Sequence, residues 1–230
     1  MAAARTDVVV SWSGGKDSSL MLERLAHDES IRVVALCTTV SSVYDRISIH
    51  GVRRSILRKQ ASALGLPLVE VALGATSSNE QYEVAFGDGL QRLAAAYPGV
   101  HHMAFGDLYL DDVRQYREQL LQRLGWTGVY PLWGEATSPL ERDFVARGFR
   151  ARLSCVDTQQ LDGAFAGCWY DNALLDALPS TVDPCGENGE FHTCVIDGPI
   201  FSHPIAVQLG ERVLRENRFQ YCDLLDDEPT

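Results

Sequence analysis

Two hydrophobic periods alternate along the first half of the chain. The runs "DVVVSW", "RVVALCTTV", "LPLVEVAL" and "HHMAFGDLYL" are short, β-branched and bounded by turn residues, and they predict strands. Between them the apolar residues fall at helical spacing: Val52, Ile56, Leu57, Ala61 and Leu64 in one segment, Val113, Tyr116, Leu120 and Leu124 in another. Both segments run into a glycine, Gly65 or Gly125, as a left-handed C-terminal cap requires. Strands alternating with helices predict stacked βαβ units, hence an α/β fold with a doubly wound, mostly parallel, Rossmann-like sheet.

The pattern changes near Thr127. "TGVYPLWGEATSPLERDFVARGFRARLSCVD" predicts strand, helix and strand, with Ser138 as N-cap and Pro139 as the first helical residue. "LDGAFAGCWYDNALLDALP" predicts a helix that stops at Pro179. The runs from "FHTCVIDGPIF" onward, broken by Gly198, Pro199 and "LGE", predict an antiparallel addition. The expected organisation is a doubly wound domain over 1–128 and a smaller C-terminal α+β domain over 129–230.

Composition narrows the classes. A chain of 230 residues with 46% hydrophobic and 22% charged residues is an ordinary globular protein able to bury its own core. Its net charge of −11 argues against a broad basic surface for nucleic acid. The six cysteines form no CxxC pair, so no zinc ribbon or iron–sulfur loop is expected and the thiols read as reduced. No segment has the length of a signal-peptide core or a membrane span, so a cytoplasmic location is expected.

The first chemical signal is "SWSGGKDSSL", Ser11 to Leu20, where a strand hands over to a helix. Paired glycines let the backbone approach a ligand, and the helix N-terminus offers unpaired N–H groups and a positive dipole end to an anion. Gly14 and Gly15 with Lys16, Ser11, Ser13 and Ser18 therefore suit phosphate oxygens, and Asp17 orients the loop or faces a Mg2+ ion. The plain alternative is a tight glycine turn with capping serines. In a doubly wound sheet the ligand lies outside the carboxyl ends of the strands, so Thr38, Thr39, Gly106 and Asp107 are expected to border it. Asp17 and Asp107 are the expected metal ligands.

The Walker spacing is absent, since Val10 stands where glycine would be needed. "SGGKDS" instead resembles the SGGxDS loop of the PP-loop ATP pyrophosphatase superfamily. That resemblance implies ATP bound by its β and γ phosphates and cleaved to AMP and pyrophosphate, with an adenylated substrate as first product.

The second signal is "DPCGENGEFHTCVIDGPIF", with Asp183, Glu187, Glu190 and Asp197 beside Cys185, Cys194 and His192. Such carboxylate density can bind a metal, hold ammonium or supply a base, and a solvated acidic turn is the plain alternative. The stretch Gly186 to Thr193 followed by Asp197, Gly198 and Pro199 is similar to the "GE-x-GE-[FY]-x-T…DGP" region of the diphthine–ammonia ligase family. "FGDLYLDDVRQYRE" and "YPLWGE" with "GFRARLSCVD" extend the resemblance over nearly the whole chain. It implies an ATP domain followed by a substrate domain, with a carboxylate converted to an amide through an acyl-adenylate and ammonia as nucleophile. Lys16, Asp17, Glu187, Glu190 and His192 take the catalytic roles in that reading.

His192 stands where the eukaryotic and archaeal enzymes typically have Glu, so the loop looks like that of the bacterial branch, for which a small molecule such as a corrinoid is the implied substrate. A local positive cluster, Arg46, His50, Arg53 and Arg54, is expected to receive the substrate carboxylate, Arg46, His50 and Arg53 together with Asp107 and Cys185, or equally to pair with nearby acids. The expected partners are the small-molecule carboxylate and ammonia, with no nucleic acid or membrane, and a homodimer stays open. Two rivals remain: an ATP-binding sensor without turnover, and a tRNA-modifying PP-loop thiolase or ligase, for which Cys185 would be the thiol.

Overall fold

The computed structural model describes residues 5–47, 51–74 and 77–226. The valine run forms β1 (Thr6–Ser11), which leads through the glycine turn into α1 (Lys16–Ala26). There follow β2 (Ile31–Ser41), a two-residue β3 (Arg46–Ile47), α2 (Arg54–Leu64), β4 (Leu68–Leu73) and α3 (Asn79–Ala96). Then come β5 (His102–Ala104), α4 (Asp111–Arg123) and β6 (Thr127–Val129). The strands β4, β2, β1, β5 and β6 lie side by side in that order and all parallel, with β3 antiparallel to the end of β2. The winding direction reverses at β1, between β2 and β5, which is the switch point where a doubly wound sheet binds its ligand.

Alternate β1 side chains serve opposite cores. Val8 and Val10 join the cluster that includes Leu20, Met21, Ile56 and Leu57 from α1 and α2. Val9 joins Phe86, Leu90, Leu93, Leu120 and Leu121 from α3 and α4 on the other face. A strand covered on both faces reads as a continuous apolar run, which is why "VVV" carries no polar alternation.

Beyond β6 the chain forms α5 (Thr137–Ala146), β7 (Arg150–Asp157), α6 (Asn172–Ala177), β8 (Phe191–Asp197), β9 (Val207–Arg215) and β10 (Phe219–Asp226). The last four strands make a separate antiparallel sheet in the order β8, β7, β10, β9. The core does not break at residue 128, because Phe144, Phe149, Leu153, Tyr170 and Phe191 belong to the same buried cluster as Val8 and Ile56.

Backbone bonds also tie the second sheet to the glycine turn. The Val195 N–H donates to the Gly14 carbonyl at 2.9 Å, and the Lys16 N–H donates to Thr193 Oγ1 at 3.0 Å. Gln60 sits fully buried at this seam. Its Nε2 donates to the carbonyls of Gly14 (3.0 Å) and Val195 (2.7 Å), while its Oε1 accepts from Trp12 Nε1 (3.1 Å).

Three local readings are corrected. The N-cap of α5 is Ala136 rather than Ser138, so Pro139 lies inside the first turn, where its missing N–H costs nothing. The stretch from Leu161 to Pro179 is not one helix: it holds a single 3-10 turn at Gly163–Phe165, a β-bridge between Trp169 and Arg152, and only then α6. Gly167, at φ 84°, turns the chain between them. The strand expected in "HHMAFGDLYL" is confined to three residues. The long helix α3, opened by a capping box of Ser78 and Gln81, is masked in the sequence by Gly87 and Gly89. Gly89 is a packing requirement, since a Cβ there would lie 2.6 Å from Val71 Cγ2. Among the described residues no helix is long and apolar enough to cross a membrane, and all six cysteines are free thiols.

Candidate functional site

The glycine turn is held from below by its own atoms. Gly14 has φ 77°, and a Cβ on it would meet Gln60 Oε1 at 2.5 Å, so both conformation and space demand glycine. Gly15 is the extended N-cap of α1 and supplies no side-chain cap; Thr193 Oγ1 takes the Lys16 N–H, and the positive end of the helix dipole still points at an anion placed before the turn. Ser13 Oγ accepts from the Gly15 N–H at 3.3 Å and donates to Ser18 Oγ at 3.1 Å. Ser18 and Ser19 hydroxyls both donate to the Gly15 carbonyl at 2.9 Å.

Above the turn lies a cleft of about 330 Å³. One side is Ser11, Ser13, Lys16, Asp17 and Ser18 with Gly106 and Asp107 from the end of β5. The loop that enters β8 lines it as well, with Cys185, Gly186, Glu187 and Gly189, followed by His192 and Thr193 of β8. The two constellations singled out from the sequence thus line a single cavity. Gly106 closes the floor, since a Cβ there would stand 2.9 Å from the Asp17 carbonyl carbon.

Other expected residues lie elsewhere. Thr38 is buried and donates to the Trp12 carbonyl at 2.6 Å, bracing the turn from behind, and Thr39 pairs with Val71 of β4. Arg46 and Arg53 bind the two oxygens of Asp223 on β10 at 2.8 and 2.7 Å and do not line the cleft. They join β3 and α2 to the second sheet. His50 lies outside the described residues. Glu190 is 1% exposed and serves its own loop: its Oε1 accepts from the Asp183 N–H (2.9 Å) and Asn188 Nδ2 (3.0 Å), its Oε2 from the Asn188 N–H (3.0 Å).

Charge in the cleft is unevenly compensated. Lys16 is 2% exposed and pairs with Asp17 at 2.5 Å and with Glu141 of α5 at 3.4 Å. Burial works against its charge, but Asp17 and Glu141 outweigh it and hold the ammonium protonated. Burial pushes Glu141 up to about 7 against the pull of Lys16, and the same burial drives the Cys185 thiol far above its ordinary value. Cys185 therefore stays a thiol and donates its S–H to Glu141.

Burial, with repulsion from Asp17, raises Glu187 to about 7. Asp107 is raised by burial and by Asp17 despite its 2.5 Å contact with Arg117, which stacks 4.6 Å over the Phe105 ring. Asp17, Asp107 and Glu187 are thus three hard oxygen donors that repel one another around one cavity. Hard oxygen donors of this kind suit Mg2+, but their ligand atoms do not all lie within 4.8 Å of one another. The tighter group of Asp17, Glu141 and Cys185, with ligand atoms within 4.8 Å, already surrounds the Lys16 ammonium and fits it less well.

Glu141 and Arg117 were not singled out from the sequence, although each left a trace. Glu141 shares the buried face of α5 with Leu140 and Phe144, an acid where the helical period calls for an apolar residue. Arg117 lies one turn beyond Val113 on the same face of α4, and both line the cleft.

An open glycine turn in the SGGxDS pattern, at the switch point of a parallel sheet and beneath a carboxylate-lined cleft, defines a PP-loop α/β protein. The chain belongs to the diphthamide synthase family: residues 6–127 match its N-terminal domain and residues 136–224 its C-terminal domain. It is 25% identical over 232 residues to a diphthine–ammonia ligase of Schizosaccharomyces pombe, spanning 92% of this chain and 38% of that one. It is also 25% identical over 222 residues to the Rattus norvegicus diphthine–ammonia ligase, spanning 88% of this chain and 83% of that one. A solved structure described as a predicted tRNA methyltransferase subunit from Methanocaldococcus jannaschii is similar over 84% of this chain and 98% of that one. Its TM-score of 0.44 and 20% identity carry nothing about function.

Proposed function

We propose that this protein is an ATP-dependent ligase that converts a carboxylate to an amide. The observation that carries the reading is the cleft that the phosphate turn lines together with Glu187 and His192. The N–H groups at the start of α1, the serine hydroxyls and Lys16 grip the terminal phosphates, so pyrophosphate is the leaving group and the α-phosphorus is open to attack. A substrate carboxylate oxygen bonds to that phosphorus as the bond to pyrophosphate breaks, giving an acyl-adenylate. Ammonia then attacks the acyl carbon, and AMP departs with the former carboxylate oxygen.

The attacking ammonia must shed a proton. Glu187, with its pKa raised to about 7, is suited to take it near neutral pH, and His192 lines the same cleft. Asp17 and Asp107 would hold Mg2+, which would neutralise charge on the departing pyrophosphate. Glu190 shapes the loop that carries Glu187 and His192, and so acts through them.

Relatives named diphthine–ammonia ligase support ammonia as the nucleophile. For the substrate we favour a small carboxylate such as a corrinoid acid, in keeping with the bacterial character of the loop. The thiolase alternative draws no support from Cys185, whose burial keeps the thiol protonated beside Glu141.

The test is product analysis with Mg-ATP and ammonium, with and without a bacterial metabolite extract or corrinoid acids. AMP and pyrophosphate formed only with the carboxylate pool support the ligase. ADP as the product, or tight ATP binding without AMP under every addition, rejects it in favour of a kinase or a sensor.

A further inference from the structure

Lysine carries its charge on a flexible four-carbon stem and rarely holds one position unaided. Lys16 is held from two directions. Asp17, its neighbour on α1, takes one N–H, and Glu141 reaches in from α5, beyond the parallel sheet, to pair with the ammonium at 3.4 Å. An ammonium has three donors and only one is bonded to Asp17, so N–H remains for an oxygen in the cleft that Lys16 lines.

Glu141 is an expensive residue to keep where it stands. It is 1% exposed, and its second oxygen, Oε2, is buried with no hydrogen-bond partner. A hydrocarbon of similar volume fills such a site at lower cost, because a buried carboxylate with an unfilled acceptor carries an uncompensated desolvation penalty. What a hydrocarbon cannot do is anchor an ammonium. The Cys185 S–H, donated to the other oxygen, fixes the carboxylate from the acidic-loop side. Lys16, Glu141 and Cys185 therefore link the turn, α5 and the loop before β8 in one buried chain.

We propose that Glu141 is a positioning residue for the phosphate site: it fixes the Lys16 ammonium so that its remaining N–H meets the terminal phosphates of the nucleotide. The proposal rests on the nucleotide reading given above. Two effects oppose each other when Glu141 is neutralised. Its negative charge repels a triphosphate, so removal would tighten binding; its anchor is also lost, so the lysine must be ordered afresh by each ligand. The anchor prevails, because the repelling charge already faces a bonded ammonium whereas nothing else in α5 replaces the contact.

The experiment is calorimetric titration of the full chain with ATP and with AMP, in the wild type, Glu141→Gln and Glu141→Ala. Glu141→Gln keeps the shape and one acceptor, which covers the case in which the alanine variant fails to fold. The expected result is that Glu141→Gln lowers the preference for ATP over AMP by roughly tenfold, the scale of one hydrogen bond to a charged group, with AMP affinity unchanged. Equal or tighter ATP binding in that variant overturns the proposal and leaves the phosphate site standing. A parallel loss of ATP and AMP affinity also overturns it, since that is the mark of general damage. A wild type with no preference for ATP over AMP rejects the phosphate site itself.

Discussion

The phosphate turn and the acidic loop line one cleft but are built in opposite ways. The turn, Trp12 to Ser19, positions its ligand-facing groups with backbone, and its carbonyls and hydroxyls bond to one another and to the second sheet. The loop from Asp183 to His192 positions side chains, and it consumes part of its own charge to do so: Glu190 and Asp183 hold loop N–H groups, leaving Glu187 toward the cavity. A backbone site is rigid and generic for phosphate. A side-chain site sets the chemistry and depends on which carboxylates remain after the loop has been folded.

That contrast can be broken at several points. The largest effect is expected at Lys16. Lys16→Ala should lower AMP formation by roughly 100-fold or more, the usual cost of one lost oxyanion donor, and a rate measurement at saturating substrates checks it. Next comes the seam beneath the turn. Gln60→Leu strands the buried Trp12 Nε1 and the Val195 carbonyl, and should cost about 3 kcal/mol in a denaturant titration, from roughly 1–3 kcal/mol per orphaned group.

The two glutamates of the loop sharpen the comparison. Glu190→Gln replaces two acceptor oxygens by one and should lower stability by about 1–2 kcal/mol, while Glu187→Gln should leave the melting temperature unchanged and stop amide formation. ATP binding is expected to survive both substitutions. Stability changes of equal size in the two variants would remove the distinction between a loop-building and a cleft-facing carboxylate.

The smallest effect is a pH window. Arg218 bonds hold Asp157 down at about 2, and Asp223 sits at about 2 because bonds from Arg53 and Arg46 outweigh its burial. Both folded values lie below the ordinary 3.8, so the stability they confer is fully present above that pH and is lost as pH falls toward 2. Asp223→Asn should lower the neutral plateau of a melting-temperature profile while leaving its acid end in place, which flattens the acid limb.

The turn was legible because all of its chemistry is local: six consecutive residues, one strand before and one helix after. The doubly wound sheet was legible for the same reason, through periods of a few residues. Arg46 and Arg53 were not, because their partner Asp223 is 170 residues or more away and converts a positive cluster into a structural tie. Glu190 resembled Glu187 in sequence, and only the fold of the loop separates the acid that bonds its own backbone from the one that faces the cavity. Glu141 was hidden by the opposite problem, a single charge in an ordinary amphipathic helix whose meaning depends on Lys16 at the other end of the chain.

The central claim is that a carboxylate, not water, attacks the α-phosphorus of ATP in this cleft. It is tested most directly by running the reaction in 18O-labelled water with an unlabelled carboxylate pool and ammonium, and weighing the AMP. Amide formation through an acyl-adenylate takes the AMP oxygen from the carboxylate, so the AMP should be unlabelled and should appear only when the pool is present. AMP carrying 18O would mean hydrolysis by water and would contradict the ligase.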